Sequence, residues 1–172
     1  MKNKKMAIAG LVLAALSASP AFADRVDWNG IVGVITAPSV DSPVGNVHAG
    51  TFPWSVRAGR AHVNLTTGET DFVAHGLVIN GQIFSGTPGP VQTVTGTLVC
   101  NAGDQNETEL DTSDVPLDGQ GNARFSGMLQ GIPGACTNPL FLVRIGTIAN
   151  PANPNGARGF WIATGTERTT RP

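Results

Sequence analysis

Short apolar runs separated by glycine, proline and asparagine recur along the chain after residue 23. Many of these runs are rich in β-branched residues or alternate apolar with polar side chains, and both patterns are typical of β-strands. No 11-residue window in this region holds an apolar period of 3.6 residues free of glycine and proline, so no helix is predicted. The predicted strands are residues 29–37, 54–65, 69–79, 91–100, 123–130, 140–145 and 160–164.

The run 91–100 (VQTVTGTLVC) is the most strand-like part of the sequence. Apolar or β-branched side chains fall on both of its faces, which predicts an inner strand that is largely covered. Seven or eight short strands of this kind predict an all-β fold, an antiparallel β-sandwich (Ig-like or related) or a closed sheet. We assign residues 24–172 to a single domain whose core covers about 29–165.

The second and third predicted strands form a hairpin in which residues 66–68 suit a three-residue loop with a left-handed glycine. A change of apolar alternation at Gly59 predicts a β-bulge. With that loop His62 faces Phe72 and His75 lies on the opposite sheet face, whereas a one-residue change of register makes the two histidines diagonal neighbours. Because the register is open and the sequence offers no third ligand, no metal ligand is predicted.

The N-terminus has the three parts of a secretory signal peptide. Lys2, Lys4 and Lys5 precede an apolar run over 6–16, and the segment ends in Ala21-Phe22-Ala23. The apolar run is shorter than the roughly 20 residues that span a bilayer as a helix. We therefore predict a helical signal peptide over 1–23, cleavage after Ala23, and a periplasmic or secreted protein, with an uncleaved anchor as the alternative.

Cleavage changes the charge of the chain. All three lysines lie in the signal peptide, which leaves 8 arginines against 12 acidic residues and a formal charge of −4. Nucleic acids and anionic membranes are bound by clustered basic residues, so both are excluded as partners. We expect no membrane span after cleavage and no cofactor. A protein or glycan of the cell envelope or the extracellular space is the expected partner.

The chain has only two cysteines, Cys100 and Cys136. In an exported protein they are expected to form a disulfide. The alternative is a redox-active pair, which would usually show Cys-x-x-Cys spacing, and that spacing is absent.

Between residues 53 and 165 the chain has a recognisable succession of core, turn and cysteine positions. On these positions the chain resembles a group of secreted bacterial proteins to which no activity is assigned. The resemblance implies export, an all-β fold and a disulfide, and it carries over no catalytic residue. The positions are Pro53-Trp54-x-Val56-x-x-Gly59-x-Ala61-x-Val63, Gly76-Leu77-Val78-Ile79, Gly89-Pro90-Val91, Leu98-Val99-Cys100, Pro116-Leu117, Gly121-x-Ala123-x-Phe125, Cys136 and Trp161-Ile162-Ala163-Thr164-Gly165.

The segment 101–122 carries six acidic residues and no basic one. Carboxylate oxygens could bind calcium, but the spacing does not match an EF-hand loop. We interpret the segment as a solvated loop that keeps the domain soluble and docks on the core only through 115–117.

No catalytic residue is predicted. The chain has no Gly-x-Ser-x-Gly motif, and both cysteines are expected to be oxidised. His48, in a predicted loop, could act as a base, but no residue near it in sequence would orient it. An unrecognised hydrolase is the weakest of the functional hypotheses.

Two residues are candidates for contact with a ligand or partner, Trp28 and His48. Trp54 and Trp161 lie in predicted strands and are expected in the core, whereas Trp28 lies near the new N-terminus and is expected to be exposed. The sequence therefore predicts an exported, non-catalytic structural or interaction module. The alternative is a carbohydrate-binding β-sandwich that uses exposed aromatic side chains.

Overall fold

The computed structural model describes residues 25–35, 40–81, 83–150 and 153–171, with side chains described outside 148–150 and 153–157. The predicted signal peptide lies outside this range. The described residues form thirteen strands and confirm the all-β class. They are β1 Arg25–Gly33, β2 Trp54–Ser55, β3 Ala58–Asn64, β4 Glu69–His75, β5 Val78–Ile79, β6 Thr93–Cys100, β7 Thr108–Asp111, β8 Val115–Pro116, β9 Ala123–Met128, β10 Leu140–Ile145, β11 Ile148–Asn150, β12 Asn153–Ala157 and β13 Trp161–Arg171.

Nine of these strands form one antiparallel sheet, in the order β7-β6-β10-β13-β1-β3-β4-β9 with β8 beside β6. Three strands separate β4 from β10 in this order, yet the rings of Phe72 on β4 and Phe141 on β10 lie 5.6 Å apart. Strands across a flat sheet at that separation would be about 19 Å apart. The sheet is therefore curled, and the core lies within the curl. A sandwich of two sheets is not confirmed.

The small sheets are β2 with β5 and β11 with β12. Within the described residues no helix is long and apolar enough to cross a membrane.

Strand β6 is the inner strand that the sequence predicted. All its residues from Val94 to Cys100 are buried. It pairs with β10 on one side and with β7 and β8 on the other. These last two strands come from the acidic segment. Docking through 115–117 is confirmed by β8 and by the burial of Leu117, but the rest of the segment is not a plain solvated loop, because β7 also pairs with β6. Hydroxyl groups on the outward face of β6 hold the acidic segment against the sheet. Thr97 Oγ1 donates a hydrogen bond to Asp111 at 2.5 Å.

The predicted disulfide between Cys100 and Cys136 is confirmed, with 4.8 Å between the Cα atoms. Asn101 follows in a left-handed conformation at φ 57°. Its side-chain oxygen accepts hydrogen bonds from Thr137 N at 2.9 Å and Thr137 Oγ1 at 2.7 Å. The disulfide and this asparagine together fix the segment that enters β10 against the end of β6.

The first strand begins earlier than predicted, and the expected exposure of Trp28 is wrong. Trp28 is 1% exposed, and its ring lies 5.6 Å from that of Phe141. Val26 and Trp28 face the core while Arg25 and Asn29 are exposed, so the short polar segment continues the strand alternation. Trp54 and Trp161 are buried as predicted. None of the three tryptophans is therefore exposed for contact with a sugar.

The hairpin of β3 and β4 has a different register from the predicted one. Ala61 pairs with Phe72, and His62 pairs with Asp71. The connection has four residues, 65–68. Asn64 O accepts a hydrogen bond from Gly68 N at 2.8 Å, and Asn64 Oδ1 accepts from Thr66 N and Thr67 N, both at 2.9 Å. His62 and His75 therefore share the outward face, but the pair of Arg60 and Val73 lies between them and keeps them from being diagonal neighbours.

The same hairpin bends before it ends. Its outer part, β2 paired with β5, keeps the register of β3 and β4 but belongs to a separate small sheet. The ladder is regular from Ala58 to Val63, so the bulge predicted at Gly59 is wrong. The change of apolar alternation reflects the break at residues 56–57, opposite Gly76 with its φ of 65°.

Candidate functional site: a polar groove on the outer sheet face

The outward side chains of β1, β3, β4 and β9 line a groove of about 640 Å³. That volume is in the range of small-molecule sites, but the lining carries many charged groups, whereas such sites are mostly apolar. Strand alternation explains the composition, because the inward residues of the same strands are the apolar core. The outward residues that line it include Arg25, Asp27, Asn29, Arg60, His62, Asp71, Val73, His75 and Arg124.

One end of the groove is cationic. Arg60 and Arg124 pair with the two sides of Val73 across three adjacent strands, so both lie in one row on the outward face. Both residues are exposed, and within the described part of the chain no carboxylate lies within 4 Å of either guanidinium. A guanidinium is suited to carboxylate and phosphate groups, which it can bind with two parallel hydrogen bonds.

An imidazole and an amide lie beside this cationic end. His75 Nδ1 lies 3.2 Å from Asn122 Oδ1. Asp118 accepts hydrogen bonds from Asn122 N at 2.8 Å and Asn122 Nδ2 at 2.9 Å, and these bonds hold the pKa of Asp118 below its ordinary value. The turn that holds Asn122 thus fixes an amide and an imidazole beside the two arginines.

The other end of the groove is acidic. Asp27, His62 and Asp71 form a row across β1, β3 and β4. His62 Nδ1 lies 3.4 Å from Asp71 Oδ2, and Asp27 Oδ1 accepts a hydrogen bond from Arg25 Nε at 3.0 Å. Glu69 lies two residues before Asp71 on the same face of β4. One donor atom each from His62, Glu69 and Asp71 lies within 4.8 Å of the others.

His48 lies outside the groove, in the loop before β2. The expectation that no residue orients it is wrong, because its Nδ1 is hydrogen-bonded to Asp41. That hydrogen bond and a second from Ala49 N hold the pKa of Asp41 below its ordinary value. No serine or cysteine among the described residues hydrogen-bonds the ring of His48. A contact between His48 and a partner stays a prediction.

Three carboxylates of the acidic segment are held in ion pairs in the described structure. Glu109 and Asp111 are ion-paired with Arg144 or Arg158, and Asp114 is ion-paired with Arg158. These carboxylates are already satisfied by arginines from distant parts of the chain.

Comparisons with family models, with curated proteins and with solved structures gave no match to this chain. The resemblance over 53–165 stays a prediction. The groove residues Arg60, Asp71 and Arg124, and Glu69 beside Asp71 on β4, were not singled out from the sequence. Alternation along both arms of the hairpin indicates which residues point outward. It does not indicate which of them are neighbours, because that depends on the register of β3, β4 and β9.

Proposed function

We propose that the protein is an exported, non-catalytic binding module whose groove holds an acidic saccharide. The observation that supports this most directly is the row of Arg60 and Arg124, two guanidinium groups without a carboxylate partner in the described residues, within a concave polar surface.

The spacing of the arginines supports an extended ligand rather than a single small anion. Adjacent strands are about 4.8 Å apart, so the backbones that carry Arg60 and Arg124 are about 10 Å apart. Carboxylates on separate units of a uronate chain could meet both side chains. Asn29, His75 and Asn122 supply further hydrogen-bonding groups for hydroxyls.

A role in binding rather than cleavage is supported by the engagement of Asp27, a carboxylate in the groove lining that accepts a hydrogen bond from Arg25 Nε at 3.0 Å. Export is supported by the disulfide, which persists in oxidising compartments.

The proposal is tested with calorimetric titration of the purified protein by an oligogalacturonate and by a neutral oligosaccharide of equal length. Arg60→Ala and Arg124→Ala are each expected to weaken binding of the acidic oligomer at least tenfold, as expected from losing a hydrogen bond to a charged group, worth about 1.5–3 kcal/mol. Added salt should weaken it further.

Arg168→Ala is the matched control, because Arg168 donates to Pro139 O and does not line the groove. Equal affinity for neutral and acidic oligomers, or equal loss in all three variants, would contradict the proposal. So would the absence of binding to either oligomer.

A further inference from the structure

We propose that the acidic end of the groove is a site for a divalent transition-metal ion, held by His62, Glu69 and Asp71. The inference goes beyond saccharide binding, since it concerns a different ligand and different side chains. The ladder itself brings the three residues together: His62 and Asp71 are direct cross-strand partners, and Glu69 is the next outward residue on β4. Their donor atoms lie within 4.8 Å of one another.

The charge of the cluster suits a dication. The two carboxylates that belong to it, those of Glu69 and Asp71, have no arginine within 4 Å in the described structure. The one ion-pair partner found there is the His62 ring, 3.4 Å from Asp71. Arg25 and Arg171 instead contact Asp27, at 3.0 and 3.5 Å. Two negative charges are therefore left without a fixed cation.

The donor set indicates the class of metal. Calcium and magnesium prefer oxygen ligands alone, whereas an imidazole favours zinc, cobalt, nickel, copper or iron. Three protein ligands on an open sheet face would leave coordination positions for water or for a group on a ligand, as in zinc sites that are not purely structural.

A second observation points to the same place. Asp27 is 8% exposed, and its Oδ2 atom is buried and accepts no hydrogen bond within the described residues. Arg171 Nε, 3.5 Å away, neutralises part of its charge without making that bond. Asp27 pairs with His62 on the side away from Asp71. A metal-binding histidine commonly donates its other ring N–H to a carboxylate. In this structure the His62 ring contacts Asp71, and Asp27 is the other cross-strand neighbour of His62.

The proposal is tested on the purified protein after treatment with a chelator. Calorimetric titration with Zn²⁺ is expected to show saturable binding of one ion per chain, and Co²⁺ should give a visible absorption band that Zn²⁺ abolishes. His62→Ala and Asp71→Asn are each expected to weaken Zn²⁺ binding at least ~10-fold, the loss found even for residues that only orient a metal ligand.

His75→Ala is the matched control, because His75 lies outward on β4, the strand of Glu69 and Asp71, but outside the cluster. Unchanged affinity in His62→Ala and Asp71→Asn, or an equal loss in His75→Ala, would overturn the proposal. The absence of saturable binding up to millimolar Zn²⁺ would also overturn it, as would binding of Ca²⁺ as tight as that of Zn²⁺.

Two further measurements keep these outcomes distinct. A circular dichroism spectrum and a thermal melt establish that each variant is folded, and Asp71→Asn preserves side-chain size if His62→Ala is unfolded. Arg60→Ala is expected to keep wild-type Zn²⁺ affinity while losing the acidic saccharide. Zinc binding can therefore fail without loss of saccharide binding, and the reverse also holds.

Discussion

Asp114 lies where three distant parts of the chain meet. Its carboxylate accepts hydrogen bonds from Thr95 Oγ1 on β6 and from Thr147 N at 3.0 Å, and it is ion-paired with Arg158. Partial burial opposes its ionisation, but these hydrogen bonds and the arginine charge outweigh burial and hold the pKa below its ordinary value of 3.8. The residue thus joins the edge of the sheet to the segment after β10.

The first prediction follows from this pKa. Because the pKa is lower in the folded than in the unfolded chain, ionised Asp114 stabilises the fold above pH 3.8, and the contribution is lost as the pH falls through the folded-state pKa. Asp114→Asn is expected to lower the free energy of unfolding by about 1–3 kcal/mol at pH 7. Urea unfolding at pH 7, 5 and 3 should show this difference shrinking at the lowest pH.

Asp104→Asn is the control, since Asp104 lies in an exposed turn. A loss in Asp114→Asn that is as large at pH 3 as at pH 7 would contradict the role of the ionised carboxylate.

Single residues also show where sequence patterns lose their power. The burial of Trp54 and Trp161 followed from their place in apolar runs. Trp28 was misjudged because Arg25 and Asp27 make its surroundings look polar, although they occupy the opposite face of the same strand. The partners of Asp114 could not be predicted at all, because Arg158 lies 44 residues away and meets it only through the tertiary fold.

At the scale of the element, the hairpin of β3 and β4 decides what the groove contains. Both arms alternate, so the sequence predicted two strands and a left-handed Gly68, and both are confirmed. The register depended on one extra residue in the loop, where the amides of Thr66 and Thr67 donate to Asn64 Oδ1. That residue decides whether His62 meets Phe72 or Asp71. The residues that meet in a site built across strands therefore depend on the register, which the alternation of apolar and polar residues does not specify.

The second prediction concerns the bend in this hairpin. Gly76 has a φ of 65°, and a Cβ added there would lie 3.0 Å from Arg57 Cβ. Gly76→Ala is expected to lower the free energy of unfolding by about 1–2 kcal/mol, since a left-handed conformation is costly for a residue with a side chain. Urea unfolding at neutral pH measures the change.

Two glycines separate the contributions to this loss. Gly81 shares the positive φ but has no atom within 4 Å of an added Cβ, and Gly119 has neither constraint. The expected order of destabilisation by alanine is Gly76, then Gly81, then Gly119. A Gly76→Ala protein as stable as Gly119→Ala would show that the bend does not need a left-handed residue.

At the scale of the whole molecule, the curl brings together strands that are remote in sheet order. Phe72 stacks on Phe125 and contacts Phe141, so rings from β4, β9 and β10 meet inside it. The all-β class and the disulfide could be predicted, because they depend on local pattern and on a cysteine count of two. Strand order could not, because apolar alternation does not say which strands are neighbours.

The disulfide spans the acidic segment and closes the chain over a separation of 36 residues. β7 and β8 lie inside that span and cover the free side of β6, so the crosslink restrains the elements that complete the curl. In the chain-entropy account a loop of this length stabilises the fold by about 4 kcal/mol, by restricting the unfolded chain.

The last prediction is that the variant with both Cys100→Ser and Cys136→Ser unfolds at lower urea concentration, with a loss of about 2–4 kcal/mol. Once its disulfide has been reduced in the unfolded state, the wild type is expected to follow the urea unfolding curve of the double variant. It should resist reduction while folded, because Cys100 is fully buried and Cys136 is partly buried. Alkylation followed by mass measurement should find no free thiol in the native protein and two after unfolding in reductant. Two thiols that react in the native, unreduced protein would show that the crosslink does not form, and the restraint on β7 and β8 would then depend on hydrogen bonds and packing alone.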